Sequence, residues 1–224
     1  MYNISFFDKV LNRVKDAYIH GLLMQTFERY IPNYFWTASA STTGKYHPEL
    51  CNGVGGLCVH TLLVSCFSLK FADSLNLDQS EIDIILAAAL LHDIYKFGTQ
   101  HESQWNYPFY YEHGKLTADI LWRRYGKVFD SGRNENYIKL KRICDAIYFH
   151  NGLYERFMSV PEGTINQILH FADLAAAFRI QTLKDAETFL ETFVSTDHSI
   201  MASGEKFTVD KYYKPKDTLE ISLG

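Results

Sequence analysis

The strongest constraint on the fold comes from residues 81–97, EIDIILAAALLHDIYKF, in which apolar side chains fall on nearly every face of a helix. A surface helix shows one apolar stripe, whereas a helix that is apolar all round must be covered on every side. The segment therefore predicts a central helix buried inside a helical bundle. The spacing of Ser80 and Asp83 is similar to a capping box and predicts that the helix begins there.

Helices separated by short polar loops account for most of the remaining chain. Apolar periodicity predicts further helices at 4–17, 21–30, 57–75, 110–125, 135–150 and 161–194. Polar loops are predicted at 37–56 and 98–109. After Gly204 the apolar and polar residues alternate, which predicts a small β hairpin at 205–224. The predicted fold class is therefore mainly α, a helical bundle with a small C-terminal β hairpin.

The whole chain, 1–224, is expected to form a single domain. Its 224 residues contain no internal repeat and no linker rich in Pro or Gly, and 47% of them are hydrophobic. We expect a core at 44–195, preceded by helices within 1–36. The longest apolar stretch, 84–91, is too short to span a bilayer, and the N-terminus carries charges where an export signal is apolar. These features predict a cytoplasmic protein without a membrane partner.

Charge and cysteine spacing exclude several classes of function. Lys and Arg number 22 against 26 Asp and Glu, which gives a net charge of −4. Proteins that bind long nucleic acids neutralise phosphates with a basic surface, so such a partner is not expected. The four cysteines contain no Cys-x-x-Cys pair, and we interpret them as buried thiols instead of zinc or redox sites: Cys51, Cys58, Cys66 and Cys144.

His92 and Asp93 are adjacent at the end of the apolar segment, where a charged carboxylate needs a partner. A pair exposed at the end of the helix, close to Lys96 and Gly98, would find that partner in water. A divalent cation is the alternative, because imidazole and carboxylate together suit Mn, Fe, Zn, Co and Ni. The pair alone does not decide between the two interpretations.

Four further residues have features that favour the cation. His60 follows a double glycine near the start of its predicted helix, and glycine permits close approach of the backbone. Asp173 lies three residues after His170 in an apolar helix, so its carboxylate also needs a counter-charge. His113 and His150 each lie on or at the end of a separate helix. Helices of a bundle can bring such distant residues to one point in the core.

Five segments of the chain place these residues in specific contexts. They are GKYHPELCNGVGGLCVHTLLVS, AAALLHDIYKFG, YYEHGKLTADIL, AIYFHNGLYE and ILHFADLAAAF. In this order they resemble the HD-domain superfamily of metal-dependent phosphohydrolases, in its bacterial and phage forms, over residues 44–178. Two of the segments are also similar to HD exonucleases that trim RNA from the 3′ end. The resemblance implies an HD-domain helical bundle in the cytoplasm of a bacterium, or of the host cell if the chain is encoded by a phage.

The resemblance also implies a centre of one or two divalent ions, for which Mn, Fe, Co, Ni, Zn and Mg are candidates. The first ion would be held in the family's H…HD…D order by His60, His92, Asp93 and Asp173. Asp93 would bridge to a second ion held by His113 and His150. Two such ions can activate a water and stabilise the charge that develops on a phosphate.

The predicted catalytic residues are Asp93, Lys96 and His101. Lys96 matches the lysine of the family's His-Asp-x-x-Lys segment and is expected on the helix face of His92, where it could bind a phosphate oxygen. As a lysine near a helix end, it could instead only complement the helix dipole. His101, in the predicted loop 98–109, is expected to contact substrate or donate a proton.

Lys45 and His47 are predicted to bind substrate in the loop that precedes His60. Two departures from the family pattern are expected to alter the site. Tyr95 replaces a glycine and would crowd the metals or place a phenol near them. Phe149 replaces the first histidine of a His-His pair, while His170 is expected in the core or behind the ligands.

The function implied by the resemblance is hydrolysis of a phosphoester in a nucleotide or related small phosphorylated molecule by a metal-activated water. The cyclic-di-GMP branch is not expected because its Gly-Tyr-Pro motif is absent. Three alternatives stay open. They are a 3′-5′ exonuclease or phosphodiesterase acting on short RNA or DNA, a di-iron HD oxygenase, and a binding module without catalysis.

Overall fold

The structure of the protein is a computed structural model that describes residues 2–41, 47–99, 112–128, 134–151 and 163–178. These ranges contain seven α-helices. They are α1 (Asp8–Leu11), α2 (Ala17–Arg29), α3 (Gly56–Ser74), α4 (Gln79–Leu91), α5 (His113–Tyr125), α6 (Glu135–Phe149) and α7 (Thr164–Phe178). Short 3-10 helices occur at Ile4–Phe7, Asn33–Trp36, Glu49–Cys51 and Gly126–Val128. No strand occurs in these ranges, which confirms the mainly α class. The predicted hairpin at 205–224 lies outside them.

Helices α3 and α4 form the centre of the bundle. They pack against each other, and α7 covers α3 while α6 covers α4. Every residue of α4 from Ile82 to Leu91 is buried, as its all-round apolar sequence predicts. Helix α3 is long and apolar enough to cross a membrane, but 83% of its most apolar window is buried inside the protein. Such burial is what a core helix of a globular domain shows.

The start of α4 differs from the prediction. Its N-cap is Asp78, whose side chain accepts a hydrogen bond from the backbone N–H of Glu81, so Ser80 lies inside the helix. Asp83 is buried and accepts instead from the backbone N–H groups of Lys15 and Asp16, at 3.0 and 2.8 Å. A side chain that caps a distant segment cannot be distinguished by local spacing from one that caps its own helix.

The end of α4 also differs. The helix ends at Leu91, and residues 92–97 form consecutive turns closed by bonds between residues three apart, such as Lys96 N–H to Asp93 O at 3.0 Å. The Tyr34 hydroxyl accepts a hydrogen bond from Phe97 N–H at 3.2 Å and lies 2.7 Å from Gly98 O. The tightened turn replaces the continuous helix that was predicted through residue 97, so the predicted ligands His92 and Asp93 lie just beyond the helix.

The N-terminal helices are shifted from their predicted bounds. Residues 4–17 form one 3-10 turn and the short α1, whereas α2 begins at Ala17, four residues before the predicted start. Asp16 caps α2 by accepting from Ile19 N–H at 2.9 Å. Since Asp83 of the core helix holds Asp16, the N-terminal segment is fixed to the bundle by hydrogen bonds as well as by apolar packing.

A tight turn delivers α3 to the core. Gly55 adopts a φ of 77°, in the left-handed region that favours glycine. A Cβ on Gly56 would lie 2.0 Å from the carbonyl oxygen of Cys51, so only glycine fits there. The close passage of these two backbone segments sets the position of His60, one turn further along α3.

Candidate metal centre

The first group of polar side chains gathers where α3, α7 and the end of α4 meet. His60 Nε2 lies 3.0 Å from Asp173 Oδ1 and 3.5 Å from Asp93 Oδ2. His92 Nε2 lies 3.4 Å from the same Asp93 oxygen and 4.0 Å from Asp173 Oδ1. His60, His92 and Asp93 are buried, whereas the Asp173 side chain is 20% exposed. Four predicted ligands thus converge on one point that is open on the Asp173 side.

A second group lies on the other side of Asp93. His113 Nε2 is 2.9 Å and His150 Nε2 is 3.7 Å from Asp93 Oδ1, and the two ring nitrogens are 3.1 Å apart. Both imidazoles are buried. Asp93 therefore directs one carboxylate oxygen to each group, which is the arrangement expected of a bridging ligand.

Helix termini position the ligands. His92 and His150 are the C-cap residues of α4 and α6, and His113 is the first residue of α5. Gly114 allows α5 to approach α6 closely, because a Cβ there would lie 2.7 Å from Ile147 O and 2.9 Å from His150 Nδ1. The glycine next to His113 is thus the reason that the two histidines can meet.

Backbone carbonyls fix two of the imidazoles. His92 Nδ1 lies 2.7 Å from Ala89 O, and His150 Nδ1 lies 2.6 Å from Ile147 O. A carbonyl oxygen only accepts, so Nδ1 carries the hydrogen in both rings, and in the neutral form of each ring Nε2 presents its lone pair to the centre. Metal-bound histidines commonly have this support, in which the second ring nitrogen donates to a carbonyl or carboxylate.

Burial and charge set the protonation of the centre. Burial opposes ionisation of Asp93, but nearby Lys96, His92 and His113 hold its pKa well below the usual range. The pKa of Asp173 is likewise lowered, because interaction with His60 outweighs burial. Burial lowers the pKa of His113 to about 4. The carboxylates are therefore charged and His113 is neutral at pH 7, which are the forms that bind a metal.

Several buried nitrogen and oxygen atoms of the centre lie close to one another without hydrogen-bond geometry within the described residues. They include the Nε2 atoms of His60 and His92 and Oδ1 of Asp93. Each of these atoms faces the centre, and each group of three buried residues has ligand atoms within 4.8 Å of one another: His60, His92 and Asp93; Asp93, His113 and His150. Imidazole nitrogens and carboxylate oxygens are ligands of divalent first-row metals. The residues present therefore fit a divalent metal site.

Lys96 reaches the centre as well. Its Nζ lies 2.6 Å from Asp93 Oδ2, and its side chain is 8% exposed. The predicted sharing of a helix face with His92 is wrong because α4 has already ended, and the turn at 92–97 brings Lys96 back to Asp93 instead. A lysine so buried and paired is more than a complement to the dipole of a helix end.

His47 packs against the first group. Its ring meets the ring of His60 edge-on, with centroids 4.7 Å apart, and its Nδ1 is buried without a hydrogen bond in the described residues. Burial lowers the pKa of His47 to about 2, so the ring is neutral. The other predicted substrate and catalytic residues, Lys45 and His101, lie outside the described part of the chain.

Of the two departures from the family pattern, Tyr95 does not direct its phenol hydroxyl to the metals as predicted. The Tyr95 hydroxyl donates to the carbonyl of Tyr30 at 3.0 Å, so its phenol is engaged with the end of α2. Phe149 is 37% exposed, and the adjacent His150 occupies the buried position. His170 lies behind the ligands as expected, with Nδ1 donating to the carbonyl of His150 at 2.6 Å.

The family model for the HD domain matches residues 58–177, more than half of the 224-residue chain. The chain belongs to the HD-domain family. The matched range contains both groups of side chains and confirms the resemblance seen in the sequence. HD-domain membership indicates a metal-dependent hydrolase. Comparison with curated proteins and with solved structures gave no significant match.

One polar residue at the HD centre had no place among the predicted site residues. The Asn151 Nδ2 atom lies 3.2 Å from His113 Nε2. Its position directly after His150 was the signal available in the sequence. Side chains of consecutive residues in a helix point in different directions, so adjacency to His150 within a helix would not place Asn151 at the same centre. The adjacency becomes informative only because α6 ends at Phe149, before both residues.

Proposed function

We propose that this HD-domain protein hydrolyses a phosphoester of a nucleotide or a related small phosphorylated molecule. The observation that carries the proposal is Asp93, whose two carboxylate oxygens face two separate groups of metal-binding side chains while a buried lysine lies 2.6 Å away. A divalent ion bound there supplies Lewis acidity and a water of lowered pKa. His60, His92, Asp93 and Asp173 would hold the first ion, and Asp93, His113 and His150 the second.

The residues of the chain support an anionic substrate. With divalent ions bound, the positive charge of the ions and of Lys96 exceeds the negative charge of Asp93 and Asp173. The Lys96 ammonium carries three donors and is bonded to one carboxylate oxygen, so a donor remains for a phosphate oxygen. The partly exposed Asp173 marks the side from which a substrate would reach that ammonium.

The neighbours of the centre would orient the substrate and move its protons. The neutral His47 beside His60 would contact the substrate without repelling the ions. The buried walls contributed by α3 and α4 exclude bulk water from the ligand atoms. His101 and Lys45 keep their proposed roles, the first as contact or proton donor and the second as a phosphate contact.

The test is release of phosphate and nucleoside from a panel of nucleotides, cyclic nucleotides and short RNA with Mn2+ present. We expect activity on one class of small nucleotide and a loss of at least about a thousandfold in Asp93→Ala, because a catalytic metal stabilises the transition state by several kcal/mol. Asp119→Ala is the matched control, since this carboxylate is 48% exposed on α5.

Other outcomes of the panel would replace the proposal. Cleavage of RNA alone would indicate an exonuclease acting on short polymers. No release from any member, with iron in the isolated protein and consumption of O2, would indicate an oxygenase on the same ligand set.

A further inference from the structure

Polar atoms of three described residues lie within 3.2 Å of the His113 ring nitrogen Nε2. They are Asp93 Oδ1 at 2.9 Å, His150 Nε2 at 3.1 Å and Asn151 Nδ2 at 3.2 Å. A neutral imidazole nitrogen offers either one hydrogen or one lone pair. If His113 donates to Asp93, the Asn151 amino group meets an N–H group and two donors oppose each other.

Rotation of the Asn151 amide by 180° removes this conflict. The rotation exchanges Oδ1 and Nδ2, which have nearly the same shape, and places the oxygen 3.2 Å from His113 Nε2. The oxygen can accept from His113 when no ion is bound. It can also present a lone pair to an ion held between Asp93, His113 and His150, so the same orientation suits both situations.

The composition of the two groups also favours a further oxygen ligand in the second group. The first contains two carboxylates, Asp93 and Asp173, whereas the second contains two imidazoles and only the shared carboxylate. Three protein ligands leave an ion short of the four to six that divalent metals take. Asn151 follows His150 directly and is half-buried, and its amide lies beside His113, one of these three ligands.

We propose that the amide oxygen of Asn151 is a ligand of the second ion. Amide carbonyls are ligands of oxygen-preferring cations, so the residue would favour Mn2+ or Mg2+ over Zn2+ at this position. The inference rests on the proposed function only in taking the centre to be a divalent metal site. It adds a ligand that the resemblance to the HD superfamily did not imply.

The decisive comparison is Asn151→Ala with Asn151→Asp. Alanine removes both the oxygen and the N–H donor, whereas aspartate keeps an oxygen and removes the donor. We expect the wild-type chain, freed of metal with EDTA, to bind two Mn2+ ions. In Asn151→Ala one of the two Mn2+ affinities should fall about tenfold or more while the other is unchanged, and Asn151→Asp should bind at least as tightly as wild type.

Mn2+ titration followed by the electron paramagnetic resonance of the free ion gives both affinities without substrate. Asn33→Ala, an exposed asparagine on a 3-10 turn, is the control. If Asn151→Asp loses affinity as Asn151→Ala does, the residue acts as a donor and the proposal is overturned. Unchanged binding by Asn151→Ala, or a single Mn2+ in the wild type, would overturn it as well.

A further readout keeps the test conclusive. The melting temperature in EDTA shows whether Asn151→Ala is folded; if it is not, the Asp variant alone decides, and weaker Mn2+ binding than wild type contradicts the proposal. Because binding is measured without substrate, a protein that binds two Mn2+ through Asn151 yet releases no phosphate would contradict the proposed function alone.

Discussion

Asp93 has 1% of its side chain exposed and touches charged or polar groups through both carboxylate oxygens. Its Oδ2 atom lies 2.6 Å from the ammonium of Lys96, and its Oδ1 atom lies 2.9 Å from His113. In a buried pair the desolvation of each charge is offset only while the partner is present. Loss of the carboxylate therefore affects stability as well as metal binding.

Asp93→Asn is expected to destabilise the metal-free protein by about 3–5 kcal/mol, because it leaves the Lys96 ammonium buried without its counter-charge. The double variant Asp93→Asn/Lys96→Met removes that charge and should regain most of the loss. Urea unfolding in EDTA measures both. Equal stabilities for the single and double variants would show that Lys96 is not the source of the cost.

His113 makes stability depend on pH. Its pKa is about 4 in the folded metal-free protein because of burial, against about 6.5 in an unfolded chain. Between these values the unfolded chain binds the proton more readily, so stability is complete above pH 6.5 and falls as the pH decreases towards 4. The lowered pKa values of His60 and His47 act in the same direction, and the raised pKa of His150 acts against them.

We expect His113→Gln to flatten this dependence by up to about 1.4 kcal/mol per pH unit between pH 4.5 and 6.5. Urea unfolding in EDTA at several pH values compares the two slopes. A variant with the wild-type slope would exclude His113 as a source of the acid sensitivity.

At the scale of elements, the ends of helices assemble the centre. Glycine at position 114 lets α5 pass against α6, and the added Cβ of an alanine would press on Ile147 O and His150 Nδ1. Because the carbonyl of Ile147 also holds His150 Nδ1, the same contact both positions the ligand and limits the helix spacing.

Gly114→Ala should therefore weaken the proposed second Mn2+ site about tenfold or more while the proposed first site keeps its affinity. Overpacking should also cost about 1–3 kcal/mol of stability. Gly21→Ala on α2 is the control, since its Cβ meets nothing within 4 Å and a helical alanine should stabilise by about 0.5–1 kcal/mol. Equal losses of affinity for both ions in Gly114→Ala would contradict the explanation that the added Cβ acts locally on His150.

Elements with a strong periodic pattern were predictable from sequence, and those defined by distant contacts were not. The predicted bounds of α3 and α6 agree with the structure within one residue. The end of α4 was missed because the tight turn at 92–97 depends on Tyr34, which is remote in sequence. Asp83 was assigned to a local cap for a similar reason, since its partners are Lys15 and Asp16.

The residues of the site also divide into those that were predictable from sequence and those that depend on distant contacts. His60, His92, Asp93 and Asp173 have motif contexts that could be recognised, and the structure brings them together. Tyr95 was expected near the metals, but its orientation towards Tyr30 depends on tertiary packing that no local pattern carries. The substrate is not encoded in the ligand set, because the same fold and centre can serve several chemistries.

For the whole molecule, the centre couples metal binding to folding. Its ligands come from α3, from the segment after α4, from α5, from the end of α6 and from α7, so an ion would connect most of the bundle. A ligand that binds only the folded state stabilises it by about 2.7 kcal/mol at a hundred times its Kd.

Mn2+ at that excess should raise the melting temperature by about 5–10 °C over the protein in EDTA, given about 2–4 °C per kcal/mol for a chain of this size. Differential scanning calorimetry measures the shift, and KCl of equal ionic strength is the control. The shift should be absent in Asp93→Asn; a shift of the same size there would place the stabilising ion elsewhere.

The four cysteines provide a second view of the whole molecule. All of them are buried as free thiols, and burial raises the pKa of Cys51 and of Cys144 to about 12. Thiols that are protonated and covered react with alkylating reagents only when the surrounding structure opens. Cys51 and Cys58 flank the turn that delivers His60, whereas Cys144 lies on α6 before His150. The order in which these thiols become labelled would therefore report, without any added probe, which half of the bundle opens first.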